Sequence, residues 1–254
     1  MEHFIITGTS RGIGGQTARL LLEKGHHVHG IARGNAEELE AFPHYAHYHC
    51  DLSDSSGLRS LMRGILQTID RQQATMLCLV LNAAMLEPLR FIEHCGDEEL
   101  QRHVHTSLLA PMILTSSFAE LTEGFPMRRK LIYLSSGSGR YAAPGMSAYC
   151  TAKAGINMFA SCVSLEQSKR DQGIEIVVVD PGMAETAMQA SAREKDKDAF
   201  PMAAYFQEAH SEGQLQSAEA VGAYLVQVIA YRHESGAFLQ FPNIEGAERL
   251  GGEI

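Results

Sequence analysis

Tyr149 and Lys153 stand four residues apart in the stretch SAYCTAKAGINMF, whose apolar positions recur at helical spacing, so phenol and ammonium share one helix face. A cation beside a phenol favours the phenolate and lowers its pKa from about 10 toward a range useful for proton transfer. Upstream, LIYLSSGSG carries Ser136 on the loop after a strand, with Ser138 on the same loop as the alternative. A serine hydroxyl and a tyrosine converging on one carbonyl oxygen form a small oxyanion site, which stabilises the charge that grows as a hydride arrives. The chemistry these groups suit is proton donation to an oxygen that gains negative charge.

A second constellation lies near the start. Thr7 is followed by Gly8, Thr9, Ser10, Arg11, Gly12, Ile13 and Gly14, after a β-branched run and before a helical pattern. A glycine turn between a strand and a helix presents backbone N–H groups and the positive end of the helix dipole to a pyrophosphate. Arg33, at the end of the second strand-like run, stands where NAD-selective sites place an acid that binds the ribose hydroxyls. With Arg11 approaching from the turn, two guanidinium groups suit a 2′-phosphate, and NADPH is expected over NADH.

The elements that must hold these groups alternate along the chain. Strands are expected over 3–7, 27–32, 46–50, 76–81, 130–135, 174–180 and 237–240, and helices over 14–24, 55–70, 97–121, 148–170 and 217–231. LCLVLN and IEIVVVD are nearly continuous apolar runs, as in strands covered on both faces. The fold class expected is α/β: one Rossmann-like, doubly wound domain over 1–254, with a seven-stranded parallel sheet flanked by helices on both faces. The stretch 184–215 mixes charge with bulky apolar residues and reads as a substrate loop or lid.

Composition narrows the function. A net charge of -9 over 254 residues argues against nucleic-acid binding. No apolar run approaches a spanning length and the first residues lack a signal-peptide profile, so a cytoplasmic protein without membrane contact is expected. Five cysteines, odd in number and without a CxxC pair, suggest reduced thiols rather than a disulfide framework or a zinc site. Twelve histidines bunch at His26, His27, His29 and at His44, His47, His49; their strand-like alternation reads as a solvated sheet end, with no metal expected.

Together these motifs resemble the short-chain dehydrogenase/reductase family over nearly the whole chain. TGTSRGIG resembles its cofactor turn, Asp51 and Leu52 its adenine-contacting strand end, and Asn82, Ala83 and Ala84 its NNAG segment. Tyr149 and Lys153 match its YxxxK, and Pro181, Gly182, Met183 and Thr186 its nicotinamide loop. The resemblance implies that Tyr149 and Lys153 also contact the cofactor. It also implies a role for Ser107, which stands in SLLAP where many members carry an asparagine that holds a water linked to the lysine. A serine holds such a water with fewer donors and acceptors, and His105 or Thr106 are candidates to compensate.

Within the family, SAYCTAKAGINMF, DPGMAETAMQ and GQLQSAEAVG are most similar to sepiapterin reductase-like and benzil reductase-like members. That likeness implies an activated ketone or diketone, with a pterin-like side chain as a variant. The expected pocket wall includes Tyr141, Met146 and Met188, with Pro144, Met183, Phe200 and Tyr205 beside them, and Ser138 close by. The long helices imply a homodimer or homotetramer. Two other functions compete: an alcohol or steroid dehydrogenase running oxidatively, and an NADPH-binding sensor or scaffold with little turnover.

Overall fold

The computed structural model describes residues 1–241; residues 242–254 of the expected domain lie outside it. Among the described residues seven strands form one sheet: β1 (Glu2–Thr7), β2 (His27–Ala32), β3 (Tyr45–His49), β4 (Met76–Leu81), β5 (Arg128–Leu134), β6 (Glu175–Asp180) and, after a two-strand clasp of β7 (Ala184–Glu185) and β8 (Gln216–Ser217), β9 (Ala237–Gln240). All pair in parallel in the order β3-β2-β1-β4-β5-β6-β9. The expected doubly wound sheet is what the chain forms. The strand order reverses between β1 and β4, which opens a crevice beyond their carboxyl ends where such sheets bind ligands.

The five inner strands β2, β1, β4, β5 and β6 are buried on both sides because helices cover both, while the edge strands β3 and β9 stay partly exposed. On one face Ile5, Ile31, Leu79, Leu131 and Ile176 meet α3 (Leu58–Gln67), α5 (Ala110–Leu121) and α6 (Ser147–Gln167). On the other, Phe4, Ile6, Val80, Ile132 and Val177 meet α1 (Gly12–Glu23) and α9 (Ala218–Ala230). The alternation of neighbouring residues between the two cores explains why these strands read as continuous apolar runs. A short α2 (Glu37–Glu40), not expected from the pattern, fills the connection from β2 to β3.

The helix expected over 97–121 is instead two helices, α4 (Asp97–Val104) and α5, joined by a π-helical turn at His105–Leu109. Pro111 supplies the reason: it has no N–H to give the Ser107 carbonyl four residues back, so the ladder widens there. The stretch 184–215 takes up helical structure. It contains α7 (Ala187–Arg193) and α8 (Ala203–Ser211), and its ends are clasped by β7 (Ala184–Glu185) pairing with β8 (Gln216–Ser217).

The first histidine bunch is not simply solvated. His27 and His29 project to one face with His3, whose ring stacks on His27 at 4.6 Å, and His3 and His29 are 8% and 5% exposed. His26 turns to the opposite face against Phe4. The register places His3 opposite His27, which one strand alone cannot reveal.

Candidate active site

The glycine turn leaves β1 and enters α1 directly. Gly8 and Gly12 adopt positive φ, +79° and +61°. A side chain at Gly14 would meet the Gly8 carbonyl oxygen and the Asn82 amide, each at 2.4 Å, so only glycine fits. No side chain caps α1 and its first turn carries no acid, which leaves backbone donors and the positive dipole end facing a 440 Å³ cavity. Ser10, Arg11, Gly12 and Gln16 line it. This cradle fits the pyrophosphate of a dinucleotide.

Asn82, Ala83 and Ala84 follow β4 across the crevice. Asn82 donates to the Thr7 carbonyl (2.8 Å), and the backbone N–H groups of Asn82 and Ala83 both donate to the Thr7 hydroxyl (3.0 Å each). Thr7, whose role beyond opening the glycine turn is not legible from its sequence neighbours, thus latches the two strand ends together. Arg33 is exposed, with its guanidinium 3.7 Å from Asp51. Asp51 itself is folded back on Ser53, whose backbone N–H and hydroxyl hold its carboxyl below the usual range, and Leu52 is buried beside it.

On α6, Tyr149 and Lys153 are 8% and 5% exposed. Lys153 donates to the Leu134 carbonyl at 2.7 Å, and its nitrogen lies 5.6 Å from the centre of the Tyr149 ring. The expectation that the ammonium depresses the tyrosine is corrected here. Burial pushes the Tyr149 phenol up to about 12, with the Ser136 hydroxyl acting against it, and burial pulls Lys153 down to about 8 against the charge of Asp180. Helical spacing brings the two side chains together, but burial outweighs the pull of the ammonium on the phenol.

Ser136 starts the loop after β5, and its hydroxyl accepts the Ser138 backbone N–H at 3.2 Å. Ser138 thus supports Ser136 through its backbone. The loop is fastened to α6 by Asn157, whose amide oxygen takes the Ser135 hydroxyl at 2.5 Å and whose nitrogen donates to Gly139 at 3.4 Å. Asn157 was not singled out, although its place four residues beyond Lys153 puts it on the same face.

Ser107 is buried at the π-helical turn and accepts the Met85 backbone N–H at 2.9 Å. It therefore braces the loop after β4. His105 turns away to the Ser53 carbonyl, 3.1 Å.

Pro181 is buried after β6, and Gly182 donates its N–H to Asp180 at 3.0 Å. The Met183 carbonyl accepts from Gln216 at 2.8 Å, at the clasp of the 184–217 excursion. Thr186 caps α7 and lies over the glycine turn, its methyl 3.6 Å from where a Gly12 side chain would begin.

Of the expected pocket wall, Met146 is 2% exposed and packs under Tyr149 with Leu89 and Phe200, so it supports the phenol from behind rather than facing a ligand. Met188 and Tyr141 are exposed, and the Arg140 guanidinium lies over the Tyr141 ring.

The family model for short chain dehydrogenase matches residues 2–197. Benzil reductase ((S)-benzoin forming) of Bacillus cereus is 37% identical over 226 residues, covering 87% of this chain and 91% of that protein. Its namesake from Bacillus subtilis is 29% identical over 236 residues, covering 93% and 96%. A solved short chain dehydrogenase/reductase of Saccharomyces cerevisiae superposes with a TM-score of 0.81 at 20% identity, covering 98% of this chain and 99% of that one.

Proposed function

The chain belongs to the short-chain dehydrogenase family, and from that premise we propose that this oxidoreductase reduces one carbonyl of an activated ketone or diketone, using NADPH. The observation that carries the reading is the gathering of Tyr149, Lys153 and Ser136 at the carboxyl edge of the sheet, beside a cradle with no room for side chains at Gly14. The diketone follows from the likeness to the two Bacillus enzymes.

The groups that would hold the cofactor are the N–H donors of the glycine turn, Asn82 to Ala84, and the loop from Pro181 to Thr186. Arg33 and Arg11, both exposed at this end of the sheet, supply the charge that favours a 2′-phosphate. When bound, the cofactor supplies the hydride. Tyr149, protonated well beyond neutral pH, donates the proton to the carbonyl oxygen. Ser136 holds that oxygen, and Lys153 keeps a positive charge beside the phenol that offsets the developing phenolate. Ser107, Thr7 and Asn157 hold the loops that present these groups.

The test follows absorbance of NADPH and, separately, NADH on mixing with aromatic and aliphatic diketones. Wild type oxidises NADPH faster than NADH, and Tyr149→Phe loses on the order of 10²-fold or more in turnover. A preference for NADH would overturn the assignment of the two arginines, and equal rates in wild type and Tyr149→Phe would overturn the chemistry.

The reading extends to assembly and location. Met158 and Leu165 of α6 are 67% and 68% exposed, and Val104 of α4 is 39% exposed. Such an apolar strip suits packing against a second copy in a homodimer or homotetramer. A monomeric mass by light scattering at micromolar concentration would refute it. Free thiols at all five cysteines suit the reducing cytoplasm.

A further inference from the structure

His103, on α4, is 0% exposed and lies almost at right angles to the Tyr149 ring, with centroids 6.3 Å apart. Its Nδ1 is 2.6 Å from the Glu87 carbonyl oxygen. A carbonyl only accepts, so Nδ1 carries the proton and Nε2 keeps a lone pair. Among the described residues that Nε2 is buried without a partner. Burial and the nearby Lys153 charge lower the imidazole pKa while the Glu87 carbonyl acts the other way, so the ring is neutral. The unpartnered Nε2 costs stability, and that cost offsets the bond Nδ1 makes to the Glu87 carbonyl, so the ring contributes little net stability.

The carbonyl that His103 grips belongs to a residue with a second engagement. The Glu87 carboxylate accepts the Leu89 backbone N–H at 3.0 Å and pairs with Lys195 at 2.6 Å, between α7 and α8. The phenol ring is therefore held by an imidazole that is itself anchored to the segment facing the 184–217 excursion. Resting on the reductase reading, we propose that His103 is a positioning residue: through its bond to Glu87 it fixes the plane of the Tyr149 ring for proton donation. A ring free to rock would lose the alignment with the carbonyl oxygen on which the rate depends.

Three substitutions separate the parts of this device. His103→Leu removes ring and donor, His103→Phe keeps a ring without the donor, and His103→Asn keeps an N–H where Nδ1 stands. His103→Leu and His103→Phe lose on the order of tenfold or more in kcat, with KM for NADPH and for the diketone within about twofold of wild type. His103→Asn recovers part of kcat. Wild-type kcat in His103→Phe, or a loss carried in KM alone, overturns the proposal.

If His103→Leu fails to fold, the Phe and Asn pair decides it. An activity-free measurement stands beside these: ultraviolet difference titration, with the Tyr149→Phe curve subtracted, isolates the ionisation of Tyr149. That midpoint moves in His103→Phe; superimposable curves overturn the proposal. If wild type and Tyr149→Phe are equally inactive, the reductase reading falls, and the titration still decides whether His103 holds Tyr149.

Discussion

Two lysine side chains are buried at opposite ends of the same strand, and they are treated differently. Lys130, near the start of β5 and 0% exposed, is saturated: it donates to the carbonyls of Val228 (2.7 Å) and Tyr231 (2.6 Å) and pairs with Glu175 at 2.9 Å. Lys153 touches the other end, where its one hydrogen bond among the described residues goes to Leu134 at 2.7 Å. Burial lowers both pKa values, but Glu175 opposes the fall directly at Lys130, whereas Lys153 is left at about 8. A buried cation with every donor used ties the carboxyl end of α9 to the starts of β5 and β6. One with donors to spare is available to a ligand. The end proposed to bind the cofactor keeps unspent hydrogen-bonding capacity among the described residues, and the opposite end spends it.

The sharpest way to break this contrast is to remove each amine in turn. Lys153→Met should lower turnover by on the order of 10²-fold or more, since the charge beside Tyr149 is gone. Its urea midpoint should hold or rise, because one hydrogen bond does little to offset the desolvation of a buried ammonium. Lys130→Met should do the reverse. It strands α9 carbonyls and part of the Glu175 charge, and Arg128, still 2.8 Å from Glu175, softens the loss to about 3 kcal/mol, the low end for a broken buried pair. Turnover per folded molecule should stay at the wild-type level. A stability loss in Lys153→Met as large as that of Lys130→Met would erase the distinction.

The same contrast explains what could be read before folding. Gly8, Gly12, Gly14, Tyr149 and Lys153 act through neighbours a few residues away, so their spacing announces them. Thr7 and Asn82 are 75 residues apart, and Lys130 and Glu175 are 45 apart; they meet only because β1 pairs with β4 and β5 with β6. His103 and Tyr149 meet only because α4 packs on α6. The break at Pro111 was within local reach, since a proline in a helical run removes a donor, but helix-forming residues on both sides of it outweighed that signal. The pKa of Tyr149 failed for a different reason: sequence gives the nearness of a charge but not the burial around it, and burial dominates here.

The smallest effect tests whether the structural end of the sheet is quiet at every pH. His3 and His29 approach within 3.4 Å through Nδ1 and Nε2, an arrangement that needs a donor on one ring and a lone pair on the other. Burial and neighbouring imidazoles, with the N-terminal amine acting on His3, depress both pKa values to about 4, and only Asp70 acts the other way on His3. Unfolded, each titrates near 6.5, so below that pH the unfolded chain binds protons that the folded one refuses. Stability is therefore complete above about pH 6.5 and declines as pH falls toward 4, by on the order of 1–3 kcal/mol. His29→Leu should flatten the dependence of urea unfolding on pH over that window while leaving turnover at neutral pH untouched. An unchanged slope would mean that the pair takes up protons without opening the sheet, and that buried polar groups at the structural end also keep capacity in reserve.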